Sequence, residues 1–177
     1  MITQERLKEV LRYSPLAGVF EWRIQGRRIR PGYLAGGVCR QSGYVHICVD
    51  RRTYRAHVLA WLYMTGEYRP NEIDHKDGDR SNNAFNNLRI ATSEQNGWNR
   101  KLAKNNTSGI KGISIRAGKK PWEAKFDAAG KTIWLGRFET KELAEEALIK
   151  KREEIHGEFA NHGIHGYERE ELQDALL

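Results

Sequence analysis

A chain of 177 residues with 30 Lys and Arg against 23 Asp and Glu carries a formal charge of +7, and 39% of its residues are hydrophobic. That length fits one ordinary domain or two small ones, and no run approaches the ~18 apolar residues a membrane-spanning helix needs. Cys39 and Cys48 form no Cys-x-x-Cys pair and encode neither a disulfide framework nor a zinc knuckle, and the polar N-terminus lacks a secretory apolar core, so a soluble cytoplasmic protein with a polyanion partner is expected.

Thr3 caps a first helix in which Leu7, Val10 and Leu11 fall at helical spacing, and Ser14-Pro15 stops it. Val19 to Ile24 and Tyr44 to Val49 alternate as strands around a glycine-rich loop. The nearly apolar run from Arg55 to Thr65, closed by Gly66, predicts a mostly buried helix with a glycine cap, in which His57 reads as a packed core histidine. Cys39, Cys48 and His46 likewise read as packing residues, because their spacing matches no compact zinc motif. A polar, turn-rich stretch from Asn71 leads to a short apolar strand, Leu88 to Ala91, and Ser93 caps a helix through Asn96 and Arg100.

Residues 102–108 read as an exposed linker. Beyond it, Ile110 to Ile115, Trp122 to Ala128 and Thr132 to Phe138 read as three strands joined by glycine-containing turns. Thr140 then caps one helix with Leu143, Ala144, Ala147, Leu148 and Ile155 as its apolar stripe. No pattern persists after about residue 161. Charge follows this division: +7 over residues 1–70, -1 over 71–100, +7 over 101–138 and -6 over 139–177. Two basic segments suited to phosphates therefore flank a nearly neutral one with some other task.

That neutral segment carries the chemistry. Mg2+ takes hard oxygen ligands and keeps several waters, so one carboxylate and one amide oxygen, Asp74 and Asn96, suffice beside a substrate phosphate. His75 has an imidazole suited to taking a proton from a water that attacks phosphorus. Adjacent strand residues point to opposite faces, so Asp74 and His75 share a site only if the strand ends or bulges there, which the turn from Lys76 to Asp79 allows. A calcium loop is excluded, because twelve-residue windows opened at Asp74 or Asp77 end on Phe85 or Leu88 instead of Glu.

Asp74-His75-Lys76-Asp77-Gly78-Asp79, Asn82-Asn83, Asn87-Leu88-Arg89 and Asn96 resemble the HNH signature of phage and intron-encoded homing endonucleases, in the subtype ending in asparagine. The run Ala56-His57-Val58-Leu59-Ala60-Trp61 resembles the helix that precedes the motif, so the resemblance covers roughly residues 15–100. It implies a ββα-metal unit with one Mg2+ or Mn2+ per active site. In that unit His75 is the general base, Asp74 and Asn96 are the metal ligands, and Asn87 braces the loop and orients His75.

A second resemblance, to the AP2/ERF DNA-binding domain, rests on Ser108-Gly109-Ile110-Lys111-Gly112-Ile113, Trp122-Glu123-Ala124-Lys125, Trp134-Leu135-Gly136-Arg137-Phe138, Thr140-x-Glu142-x-Ala144 and His156-Gly157-Glu158-Phe159-Ala160. That family reads DNA with its sheet, which implicates Lys111, Arg116, Trp122, Lys125, Trp134 and Arg137. Lys111 stands where many relatives have arginine, and either tryptophan can instead pack against the helix.

The expected architecture is α+β. A nuclease domain spans residues 1–101 with its ββα-metal core about 71–101, a linker spans 102–108, a three-stranded antiparallel sheet plus one helix spans 109–161, and a tail spans 162–177. The expected activity is metal-dependent, site-specific hydrolysis of double-stranded DNA, by nicking, with no membrane and no obligatory protein partner. The alternative is a non-enzymatic DNA-binding regulator on an HNH scaffold, which leaves supercoiled plasmid intact with or without Mg2+.

Overall fold

Thr3 opens the first helix by accepting the Arg6 backbone N–H at 3.2 Å, and α1 runs Gln4–Val10 with Leu7 and Val10 buried. The structure, a computed structural model, describes residues 1–68, 71–100 and 102–163. The helix ends earlier than its spacing predicts. Leu11–Ser14 is instead a strand, β1, paired antiparallel with β2, Val19–Trp22, from Leu11↔Trp22 to Ser14↔Val19. Strand alternation still sends Leu11 and Tyr13 into the core, so the change of element keeps their burial.

Gly18 in the β1–β2 turn has φ +68°, and a Cβ there would lie 2.3 Å from the backbone nitrogen of Ala84. Only glycine lets this turn close on the 83–84 backbone. A sheet follows in the order β3 (Gly37–Val38), β4 (Val45–Val49) and β5 (Arg52–Arg55). In β4, Ile47 and Val49 are buried while Cys48 between them is exposed, which makes Cys48 a surface thiol and not the packing residue expected.

Helix α2, Ala56–Thr65, ends on left-handed Gly66 as predicted, and the glycine N–H donates to Leu62 O. Its buried face joins Leu7, Val10, Leu11, Phe20, Ile47, Ile73 and Leu88 in one core. β6 (Glu72–His75) and β7 (Leu88–Ala91) form a separate antiparallel pair that sets Asp74 opposite Arg89 and His75 opposite Leu88.

Contacts divide the chain into Met1–Ala91 and Thr92–Leu177. The second unit begins with α3, Ser93–Trp98, capped by Thr92 and not by Ser93: Thr92 and Gln95 form a reciprocal capping box. β8 (Ile113–Ile115), β9 (Trp122–Ala128) and β10 (Lys131–Phe138) form an antiparallel sheet in the order β10-β9-β8, with a bulge between Trp134 and Gly136. Helix α4, Lys141–His156, takes its cap from Thr140 and packs on the sheet through Ala144 and Leu148.

The buried row of α4 continues at Arg152 and His156, while Leu143 and Ile155 of the predicted stripe are exposed. Polar partners explain the exchange. Arg152 donates to Lys111 O at 2.8 Å, and the His156 ring stacks on Trp98 at 4.0 Å with its Nε2 3.0 Å from Asp127 O. The architecture is thus mixed, with helices and antiparallel sheets. No helix among the described residues is long and apolar enough to cross a membrane. Lys101 and residues 164–177, most of the expected tail, lie outside the described residues.

Candidate active site

The loop between β6 and β7 is held by its own polar side chains. Asp77 Oδ1 accepts from Asp79 N at 2.8 Å and Asn87 Nδ2 at 2.9 Å, and its Oδ2 accepts from Asn82 Nδ2 at 2.7 Å. Asn87 returns the bond by accepting from Asp77 N at 3.1 Å, and its amide also donates to Asn82 O at 2.9 Å. Asp79 accepts from both the backbone and the hydroxyl of Ser81. Asp77 and Asp79 are therefore turn braces, and Asn87 ties the two ends of the loop together.

His75 is the last residue of β6, with the turn beginning directly after it. It is 4% exposed. Its Nε2 lies 3.3 Å from Asn83 Oδ1, while Asn83 Nδ2 donates to Ser81 O at 2.8 Å. Because the second bond orients the Asn83 amide, an acceptor oxygen faces the imidazole. Nε2 then carries the ring proton, and Nδ1 carries the lone pair. Burial holds the His75 pKa below its usual 6.5, opposed by the Asn83 bond and by the charges of Asp77, Asp74 and Asp79. The ring is neutral at pH 7 and able to accept a proton.

Asn83 belongs to the quoted motif, yet its spacing assigns it no partner. The first hairpin supplies one: the buried Tyr13 hydroxyl donates to Asn83 O at 2.6 Å, and Phe85 N donates to Pro15 O at 2.8 Å. Two other rings meet His75, His57 edge-on at 5.0 Å and Tyr44 at 6.0 Å. His57 is buried, as a packing histidine would be, yet what it packs against is the His75 imidazole.

Asp74 is buried too, and its Oδ2 accepts from Arg89 Nη2 at 2.8 Å and Nε at 3.0 Å. The guanidinium offsets part of the cost of burying this carboxylate. A carboxylate is a hard oxygen donor of the kind a divalent ion takes. Among the described residues no three His, Cys, Asp or Glu side chains converge as a closed metal cage. Asn96 lies half-buried in α3, within the second unit.

The sheet residues separate into two faces. Ala124, Phe126 and Ala128 of β9 face the helix, and Trp122 shares their parity and packs half-buried on that core. Lys125 points the other way, paired in register with Trp134, which is 62% exposed. Arg137 stands opposite Glu123, and Arg116 forms a 3.2 Å ion pair with the same glutamate. Lys111 is committed elsewhere: its Nζ donates to Trp98 O and Arg100 O at 2.6 Å each, at the end of α3. Burial, then repulsion from Arg152 and Arg100, pushes its pKa down to about 8.

Residues 54–98, from the end of β5 to the end of α3, match a family described as HNH endonuclease. Protein 3.8 of Escherichia phage T7 is 37% identical over 109 residues, covering 60% of this chain and 88% of that protein. An uncharacterized HNH endonuclease of Acanthamoeba polyphaga mimivirus is 34% identical over 122 residues, and the chain spans 68% of itself and 62% of that protein's length. Among solved structures, one of DNA binding and cleavage by the HNH homing endonuclease I-HmuI matches with a TM-score of 0.39 and 24% identity, covering 50% of this chain and 49% of that one. With the family match lying across α2, the β6–β7 hairpin and α3, and a relative aligned over nearly its whole length, the chain belongs to the HNH endonucleases, enzymes that hydrolyse DNA.

Proposed function

We propose that the chain is a site-specific, metal-dependent DNA endonuclease of the homing-endonuclease type, with an active centre of the ββα-metal kind whose base lies on the β6–β7 hairpin. The observation that carries this reading is His75: a buried imidazole whose tautomer is fixed through Asn83 and which ends a strand beside the buried Asp74–Arg89 pair. In the proposed reaction His75 Nδ1 takes a proton from the water that attacks phosphorus. Asn83 holds the ring, and Asn87 holds the loop in which Asn83 sits. By the sequence motif, Asp74 and Asn96 would be the oxygen ligands of one Mg2+ or Mn2+. When bound, such an ion supplies charge stabilisation at the phosphate and the departing 3′ oxygen.

One such centre acts on one strand at a time, so nicking is the proposed product. Residues 109–161 are proposed as an AP2-like reader that lays its sheet in the major groove. Arg116, Lys125, Trp134 and Arg137 are its contacts, supported by their shared outward face and the exposure of Trp134. Lys111 and Trp122 then serve the fold of that unit. A phage-encoded protein of this kind works in the host cytoplasm.

His75→Ala is expected to bind DNA like the parent and to lose about 10²–10⁴-fold in the rate at which supercoiled plasmid becomes nicked. The assay compares Mg2+, Mn2+ and a chelator. Undiminished nicking by His75→Ala removes His75 from the chemistry, and plasmid that stays supercoiled in every lane with the parent protein favours the regulator.

A further inference from the structure

We propose that Arg55 and Arg80 form a two-arginine clamp for the DNA backbone at the His75 centre, organised by the ring of Tyr44. The inference rests on the nuclease reading of His75 and names further residues that grip its substrate. The guanidinium carbons of Arg55 and Arg80 lie 4.5 and 4.8 Å from the Tyr44 ring centroid. That ring stands 5.0 Å from His57 and 6.0 Å from His75, so both cations gather one aromatic ring away from the base.

They arrive from separate parts of the unit. Arg55 ends β5 and precedes α2, whereas Arg80 follows Asp79 in the β6–β7 loop and donates one N–H to Ser42 O at 2.9 Å. Both are exposed. Among the described residues neither guanidinium forms an ion pair, although Asp77 and Asp79 lie in the same loop as Arg80. Those carboxylates accept backbone, amide and hydroxyl donors of the loop itself.

Collecting two like charges on one ring without a carboxylate is unfavourable unless an anion completes the group. The tyrosine face offsets part of that repulsion and fixes the guanidinium planes. A guanidinium stacked on a ring keeps its N–H donors at its edge, in the fork that matches two phosphate oxygens. A DNA phosphodiester is the anion that must come close to His75 in this enzyme, so the clamp holds the backbone at or next to the bond being cut.

The test uses the full chain with Arg55→Gln, Arg80→Gln and both together, bound to duplex DNA without divalent metal across a series of salt concentrations. The slope of log affinity against log salt should become shallower by about 0.9 for each arginine removed. Metal-dependent plasmid nicking should fall in parallel. The double lysine variant should recover the slope but not the nicking rate, because a point charge neutralises phosphate without the two-pronged hold. His75→Ala separates this inference from the reading beneath it: its slope should match the parent while nicking is lost. If His75→Ala still nicks, the nuclease reading of His75 fails and the clamp is judged by the slope alone. A parental slope in the folded double glutamine variant overturns the clamp, and parental nicking in the double lysine variant overturns its two-pronged geometry.

Discussion

At the scale of single residues, the proposed centre rests on how Asn83 constrains His75. The Asn83 amide accepts from the imidazole and raises its pKa, while burial, the larger effect, lowers it. With His75 as the proposed base, activity is expected to require the deprotonated ring and to fall at acid pH, below the usual imidazole range. Asn83→Ala removes the opposing bond, so the acid limb of the rate–pH profile should move further down. The plateau rate should drop about tenfold as the tautomer loses its anchor; a profile unmoved by the substitution would remove Asn83 from that role. The same burial couples to folding: an unfolded chain protonates His75 more readily than the native one, so stability present above pH 6.5 is lost as pH falls through the native pKa. Arg89 acts differently. Arg89→Ala leaves the Asp74 carboxylate buried without its cation and should cost about 3–5 kcal/mol, read from denaturant unfolding. The Asp-His dipeptide, the paired asparagines and Asn87 were all legible as a motif. Tyr13, Tyr44 and the contact of His57 were not, since only folding brings those rings to the loop.

At the scale of elements, the first hairpin is a brace for the catalytic loop. Its turn presses Gly18 against the 83–84 backbone, and β1 delivers the Tyr13 hydroxyl to Asn83 O. Gly18→Ala meets both a left-handed φ and a backbone clash, so it should destabilise the protein by well over ~1 kcal/mol and lower nicking more than binding. Equal stability of the variant in thermal unfolding would contradict the close approach. Periodicity located most elements, including β9 at both ends and the glycine stop of α2. It failed where two elements serve the same burial. Leu11 continues the apolar spacing of α1, yet pairing with Trp22 satisfies its backbone and still buries it. It also failed on α4, where Arg152 and His156 fill core positions because Lys111 O, Trp98 and Asp127 O meet their polar ends.

Across the whole molecule, the formal charge of +7 resolves into a basic N-terminal segment and a basic sheet segment on either side of a near-neutral one. On the sheet, Lys125 pairs in register with the exposed Trp134, and Arg137 and Arg116 both meet Glu123 on the same face. Replacing Lys125 and Arg137 by Gln and Trp134 by Ala should weaken DNA binding and flatten its salt dependence by about 0.9 per cation removed, with metal-dependent nicking retained at saturating protein. Native affinity in that triple variant would exclude the sheet as the DNA-binding face. By itself the sequence determined the family, the motif from which the proposed acid, imidazole and amide set is drawn, and the order of most elements, because spacing and local chemistry are written in neighbouring residues. Tertiary structure alone decided which asparagine meets His75, which tryptophan of the sheet faces outward, and that Lys111 bonds the end of α3. Each of those outcomes depends on strand register and on backbone carbonyls brought close from distant parts of the chain, and no local pattern encodes either.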